Sequence, residues 1–212
     1  FKNGEDVHEA VAMRVFNVSG TEVTREMRRR AKIINFGILY GMGVNALRQN
    51  LGEDTPRAEA QEFLNAYFNT FTRLAEYLEE TKNFARIHRY TETLFGRKRH
   101  FAGITSSVPF IRASAERMAI NAPVQGTAAD ITRIAMINVA ALLKEKNYQK
   151  KGYLLLQVHD ELVLEIEEGS VKELVPKIQE CMEDVLSNAQ SVGVPIKTDV
   201  SVGETWGTLK KL

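Results

Sequence analysis

One segment, Arg28-Arg29-Arg30-Ala31-Lys32-Ile33-Ile34-Asn35-Phe36-Gly37-Ile38-Leu39-Tyr40-Gly41, constrains this chain more than any other. Read at helical spacing, Arg28, Lys32, Phe36 and Tyr40 recur at every fourth position and line one slowly drifting stripe. At about 1.5 Å of rise per residue, roughly 18 Å separate the first from the last. Two cations stand at one end of the stripe and two aromatic rings at the other. A nucleoside triphosphate is divided in the same way, into an anionic tail, a sugar and a flat base. The stripe therefore reads as a complementary platform for a nucleotide.

A plainer reading stands beside it. A basic cluster opening a helix is commonly a solvated face, and Phe and Tyr at this spacing are commonly core. Two details weigh against that reading. Three arginines and a lysine near a helix start oppose the macrodipole, which favours carboxylates there. Gly37 and Gly41 leave gaps beside the rings, at about 1 kcal/mol each relative to Ala if they are helical.

The pattern Arg-x-x-x-Lys-x-x-x-Phe-Gly-x-x-Tyr-Gly resembles the nucleotide-binding helix of the family A DNA polymerases, the bacterial DNA polymerase I type. The resemblance implies that Arg28 and Lys32 hold the triphosphate of a dNTP. It places Phe36 near the sugar and Tyr40 beside the nascent base pair, and implies that Phe36→Tyr relaxes discrimination against dideoxynucleotides. Single-subunit RNA polymerases share the Arg, Lys, Tyr and final Gly but do not normally carry the Phe-Gly pair. A piece of such an RNA polymerase is the less favoured alternative.

With 212 residues the chain suffices for one domain or two small ones. A formal charge of +1 excludes a global basic field. The charge is uneven: stretches 25–32 and 82–100 are basic, and 160–183 is rich in acids. Such polarity suits a nucleic-acid face with a separate carboxylate site, and equally an ordinary soluble domain. Cys181, the single cysteine, shares an amphipathic pattern with Leu174, Val175, Ile178 and Met182, so a core role is expected. No stretch approaches the roughly 18 apolar residues of a membrane span, and no secretory signal is visible. A cytoplasmic setting without membrane contact is expected. The chain opens on Phe1 in what reads as mid-domain sequence, so a fragment is expected.

The periodicity predicts helices over 6–15, 24–40 and 73–88, with another beginning at Thr55-Pro56 as cap and first helical residue. A short strand and turn follow over 90–96. Helices are expected over 109–120 and 125–144, separated at Pro123. Strands over 153–158 and 162–166 flank His159-Asp160-Glu161, and a helix over 170–188 leads to an alternating segment over 196–202. The fold class expected is α+β. By the same resemblance, 1–108 is a mostly helical fingers region with its nucleotide-binding helix at about 24–41. The remainder, 109–212, is a partial palm with a small antiparallel sheet and a metal-binding hairpin at 153–166.

Phosphoryl transfer calls for divalent cations, and Mg2+ takes one or two carboxylates while keeping water and phosphate elsewhere. Asp160 and Glu161 offer adjacent carboxylates at a hairpin, although acids are also common in surface turns. The run Gln-Val-His-Asp-Glu-Leu-Val from Gln157 resembles the family's palm motif. It implies that Asp160 ligates the catalytic metals, that Glu161 is auxiliary and that His159 lies near the primer terminus. The family's mechanism uses two Mg2+ ions and a second aspartate in an Asp-Tyr-Ser-like strand, which this sequence does not contain. Glu5, Asp6 and Asp130 are available carboxylates, but none sits in that motif. The parent protein is thus expected to carry out template-directed DNA synthesis and the isolated chain to lack turnover. The alternative is a non-catalytic nucleotide- or DNA-binding module.

Three further segments support the resemblance. Asp6-Val7-His8 resembles a segment whose histidine contacts the triphosphate. Glu116-Arg117, Asn121-Ala122-Pro123, Gln125 and the following Gly-Thr-Ala-Ala-Asp130 match the family closely, which implies that Arg117 and Gln125 contact template and primer. Arg112 and Asn121 lie on neighbouring turns, where polar groups find the minor-groove acceptors common to all base pairs. Thr93 to Arg99 resembles a Thr-x-x-Gly-Arg-Arg segment and makes Arg97 and Arg99 candidates for the template backbone. Lys32 is also a candidate acid toward the leaving pyrophosphate. The partners implied are primer–template DNA, dNTP and the rest of a polymerase chain, meaning thumb and first half of the palm, at the bacterial nucleoid.

Overall fold

The computed structural model describes residues 6–52 and 55–212, so Glu5 lies outside the described residues. It forms two compact units, one ending at Gly126 and the other spanning Thr127–Leu212. No helix among the described residues is long and apolar enough to cross a membrane.

The first unit is a set of helices whose starts are written in the sequence. Helix α1 (Val7–Phe16) is capped by Asp6, whose carboxylate accepts from the N–H groups of His8 and Glu9. Helix α2 (Arg25–Leu39) is capped by Thr24, which accepts from Met27 at 3.2 Å. Helices α3 (Val44–Leu51), α4 (Arg57–Thr70) and α5 (Thr72–His88) follow. Val11, Ile34, Leu47, Leu64 and the Ile120 side chain share one buried cluster, with α2 packed against α1 and α3. A ribbon of β1 (Tyr90–Glu92) and β2 (Lys98–His100) then leads to α6 (Pro109–Leu142), which runs from the first unit into the second.

In the second unit, β3 (Gly152–Val158) and β4 (Glu161–Ile166) form an antiparallel hairpin. Pairing from Gly152↔Ile166 to Val158↔Glu161 leaves His159-Asp160 as a two-residue turn. Val139 of α6 and Leu143 just beyond it are buried with Tyr148 and with Leu174 and Ile178 of α7 (Val171–Glu183). The chain closes with a short α8 (Asn188–Ser191) and the pair β5 (Ser201–Val202) and β6 (Lys210–Lys211). The α+β class holds, with three separate two-stranded antiparallel ladders among the described residues rather than one sheet.

The structure departs from expectation at six places. The helices expected on either side of Pro123 are one helix of 34 residues. Proline's fixed φ is itself helical, and burial of Ala119, Ile120 and Ala122 offsets its lost hydrogen bond. Pro56 is the cap residue of α4 rather than its first helical residue, and Thr55 is buried without capping. The final helix stops at Glu183, whose carboxylate accepts from Thr198 N and Oγ1 at 2.7 Å each. That bond also removes Thr198 from any ladder, so only Ser201–Val202 of the alternating segment pairs. Helix α3 was not anticipated, although Val44, Leu47 and Leu51 sit at helical spacing. Strand β2 was read as part of a cationic turn.

Candidate nucleotide and nucleic-acid interface

Helix α2 turns two different faces outward and inward. Ala31, Ile34, Gly37 and Ile38 are buried, whereas Arg28, Lys32, Phe36 and Tyr40 are exposed. Phe36 is 46% and Tyr40 50% accessible, so neither ring is core. Two large rings exposed side by side on a well-packed helix make an apolar patch able to receive a flat ligand. His8 of α1 joins them, its ring 5.7 Å from that of Phe36. Lys32 Nζ lies 5.9 Å from the centre of the Phe36 ring. His8, read separately along the sequence, is thus brought to the face that carries Lys32 and Phe36.

The basic cluster is less uniform than its sequence suggests. Glu26, in the first turn of α2, pairs with Arg29 at 2.6 Å and Arg30 at 3.2 Å. Arg29 above all holds the Glu26 carboxyl down to about 2. The helix start therefore carries its own carboxylate, and the expected conflict with the macrodipole is relieved. Arg28 is bound differently. Its Nε donates to Asp6 Oδ2 at 3.1 Å, and its Nη2 donates to the same oxygen. The guanidinium, followed by the Glu9 N–H, holds the Asp6 carboxyl below its ordinary range. Lys32 makes no ion pair among the described residues.

The two glycines serve the backbone rather than the rings. Gly41 has φ +68°, and a Cβ there would stand 2.7 Å from Arg117 Cγ and 3.0 Å from Ile120 Cδ1. The chain leaves α2 through a left-handed turn pressed onto α6, which brings Tyr40 and Arg117 to the same neighbourhood. At Gly37 a Cβ would meet Met42 Sδ at 2.8 Å.

The cationic segment after β1 closes onto α6. Thr93 Oγ1 accepts from the N–H of Phe95 at 3.3 Å and of Arg97 at 3.2 Å. Arg97 Nη2 donates to the Gly126 carbonyl at 3.0 Å. Thr91, Thr93, Arg97, Arg99, Gln125 and Gly126 line a cavity of about 220 Å³. Arg97, Arg99 and Gln125 are therefore brought together, while Arg112 is tied to the Ser106 carbonyl at 3.0 Å. Arg117 is exposed and Asn121 half-buried on the turns of α6 before Gln125. Burial pushes the Cys181 thiol up, away from nucleophilic use.

In the second unit His159, Asp160 and Glu161 are all exposed. His159 has φ +54°, a conformation unfavourable to a residue with a Cβ, and Gln157 Nε2 donates to its carbonyl at 2.6 Å. Neither Asp160 nor Glu161 forms an ion pair among the described residues. Their exposed hard oxygens suit one hydrated Mg2+. No group of three or more His, Cys, Asp or Glu among the described residues is placed to hold a metal. Asp6 is taken by Arg28, and Asp130 is buried in α6. Sequence reading missed Asn35 and Tyr67, which lie behind His8: Asn35 Nδ2 is 3.0 Å from His8 Nδ1, and Tyr67 Oη is 2.9 Å from Asn35 Oδ1.

Known proteins resemble this chain along nearly its whole length. The thermostable DNA polymerase I of Thermus filiformis is 43% identical over 206 residues, which is 97% of this chain and 24% of that protein. The DNA polymerase I of Rhizobium leguminosarum is 40% identical over 206 residues, again 97% of this chain and 20% of the relative. The chain thus spans about a quarter or less of these relatives. A solved structure, the POL domain of Pol1 from M. smegmatis in complex with DNA primer-template and dNTP, superposes with a TM-score of 0.83 at 39% identity, covering 92% of this chain and 33% of that one. Residues 1–208 match DNA polymerase family A, and the chain belongs to that family.

Proposed function

We propose that this chain is the nucleotide- and DNA-handling part of a DNA-directed DNA polymerase, which transfers a nucleotidyl group from dNTP to a primer 3′-hydroxyl. The observation that carries the reading is the exposed order of Arg28, Lys32, Phe36 and Tyr40 along α2, cations first and rings last. The M. smegmatis relative, described with primer-template and dNTP, supports both partners.

In this reading Arg28, Lys32 and His8 bind the triphosphate, Phe36 packs on the sugar and Tyr40 borders the base pair. The primer 3′-hydroxyl gives its proton to solvent water, its oxygen bonds to the α-phosphorus as the bond to the bridging oxygen breaks, and pyrophosphate leaves. Lys32 gives a proton to that leaving group. Asp160, with Glu161 beside it, would hold Mg2+, which when bound would stabilise the charge on attacking and leaving oxygens. His159 borders the primer terminus. Arg117, Asn121 and Gln125 contact the duplex, and Arg97, Arg99 and Arg112 lie along the template backbone. Residues 1–108 act as fingers and 109–212 as a partial palm, completed by the rest of a polymerase chain. The bacterial relatives support a cytoplasmic setting at the nucleoid.

The carboxylate set favours binding without turnover for these 212 residues alone, because Asp160 and Glu161 supply one ion position and not two. Primer extension with Mg2+ by the purified chain, beside a longer polymerase containing it, tests this. The longer protein should extend and the chain should not. Extension by the purified chain would overturn the incomplete metal site.

A further inference from the structure

Behind the α2 face a short polar relay runs into the core. Tyr67 of α4 is 4% accessible and Asn35 of α2 is 8% accessible. Tyr67 Oη donates to Asn35 Oδ1 at 2.9 Å, so the other end of the amide, Nδ2, faces His8 Nδ1 at 3.0 Å. An amide nitrogen only donates, and His8 Nδ1 must then accept. The single proton of the neutral imidazole is left on Nε2. We propose that Tyr67 and Asn35 are positioning residues that hold His8 as the neutral Nε2–H tautomer, presenting one fixed donor to the triphosphate. The proposal rests on the nucleotide reading of this face.

The alternative arrangement has a definite cost. Turning the amide over would set Asn35 Oδ1 against a protonated Nδ1, with Nδ2 donating to Tyr67 Oη. The Tyr67 hydroxyl hydrogen would then lack an acceptor in a site closed to water, at the full desolvation cost of that group. The choice between tautomers is thus made at Tyr67, far from the surface where it takes effect. Protonating His8 meets the same obstacle, because it sets an N–H against Asn35 Nδ2.

The charged groups around His8 point mostly the same way. Burial depresses its pKa, Arg28 and Lys32 depress it further, and Asp6 acts in the opposite direction. Its ring neighbour is Phe36, tilted by 46°, and Tyr67 behind it stays neutral, its hydroxyl pushed up to about 12 by burial. A depressed histidine pKa favours the folded state above the ordinary value of 6.5, and that advantage is lost as pH falls through the depressed one. A neutral directional donor has a use here. Arg28 and Lys32 already supply the charge, and His8 adds geometry that does not vary near neutral pH.

Long-range 1H–15N spectra of 15N-histidine-labelled chain test the relay, with His8 assigned by its loss in His8→Gln. Wild type should show Nε2–H and a bare Nδ1. Tyr67→Phe keeps the buried ring but frees the amide, so both tautomers should appear and the His8 pKa should rise. Asn35→Asp sets a carboxylate against Nδ1 and should drive His8 to the imidazolium, with a pKa above 6.5. Dominant Nδ1–H in wild type, or an unchanged tautomer in Tyr67→Phe, overturns the relay. In a longer polymerase Tyr67→Phe should raise the dNTP KM about three- to tenfold at nearly constant kcat. An unchanged KM there, with Lys32→Ala strongly impaired, overturns the role given to the donor. An unimpaired Lys32→Ala instead overturns the nucleotide reading itself, and the spectra still judge the tautomer.

Discussion

The α2 face and the β3–β4 turn both expose reactive side chains, but they are held in different ways. On α2 the opposite side of the helix is buried through Ala31, Ile34 and Ile38, and individual outward groups have dedicated partners: Asp6 for Arg28 and Asn35 for His8. At the turn, Asp160 and Glu161 are fixed by backbone alone, through a left-handed His159 and one bond from Gln157. The difference follows from charge. Cations and rings are readily pre-positioned within a local segment, since carboxylates and amides of the same segment can brace them. Neighbouring carboxylates repel and gain a partner only when a cation arrives. In the proposed reading one region is therefore a nearly finished binding face, and the other would gain its partners only with a cation.

This contrast sets the order of expected effects. In a longer polymerase, Asp160→Asn should lower the single-turnover rate by about a thousandfold or more while dNTP binding persists. A rate within tenfold of wild type would remove the turn from the chemistry. Lys32→Ala should cost about a hundredfold in kcat/KM, and more in chemistry than in DNA binding. Equal single-turnover rates at saturating dNTP would deny Lys32 its role on the leaving group. Gly41→Ala should destabilise the chain by about 1–3 kcal/mol, read by denaturant unfolding, because it imposes a left-handed φ on a Cβ already in collision with Arg117. Unchanged stability would mean that the junction of α2 with α6 is loose.

The smallest effect tests the bracing itself. Asp6→Asn keeps an effective cap on α1 but releases Arg28 from its ion pair. Triphosphate binding should tighten about two- to fivefold at low salt, and the gain should shrink as salt rises. Weaker binding in Asp6→Asn would show that Asp6 serves Arg28 as an aligner rather than a competitor.

Much of the α2 face was legible because its logic is local. Fourfold spacing places four side chains on one stripe, and Thr24 is an ordinary cap three residues from the Met27 N–H it satisfies. The hairpin was legible for the same reason, two apolar runs around a polar turn. Glu26 was visible too, yet its pairing at three and four residues from Arg29 and Arg30 carried less weight than the arginines themselves. The relay behind His8 was not legible, since Asn35 and Tyr67 lie 27 and 32 residues from their partners. Nor was the persistence of α6 through Pro123, where burial of Ala119, Ile120 and Ala122 outweighs the local signal. The arrest of α7 at Glu183 depends on Thr198, which no periodicity connects to it.

The central claim is that α2 binds a nucleotide through its ordered cations and rings. A titration of dNTP into the 212-residue chain, followed by NMR at Lys32 Nζ and the rings of His8, Phe36 and Tyr40, tests it directly. The account predicts saturable shifts at all four, with the β3–β4 turn unmoved when Mg2+ is absent, and much weaker binding of the deoxynucleoside without phosphates. Silence at those four residues under saturating dNTP, or shifts confined to the turn, would contradict it.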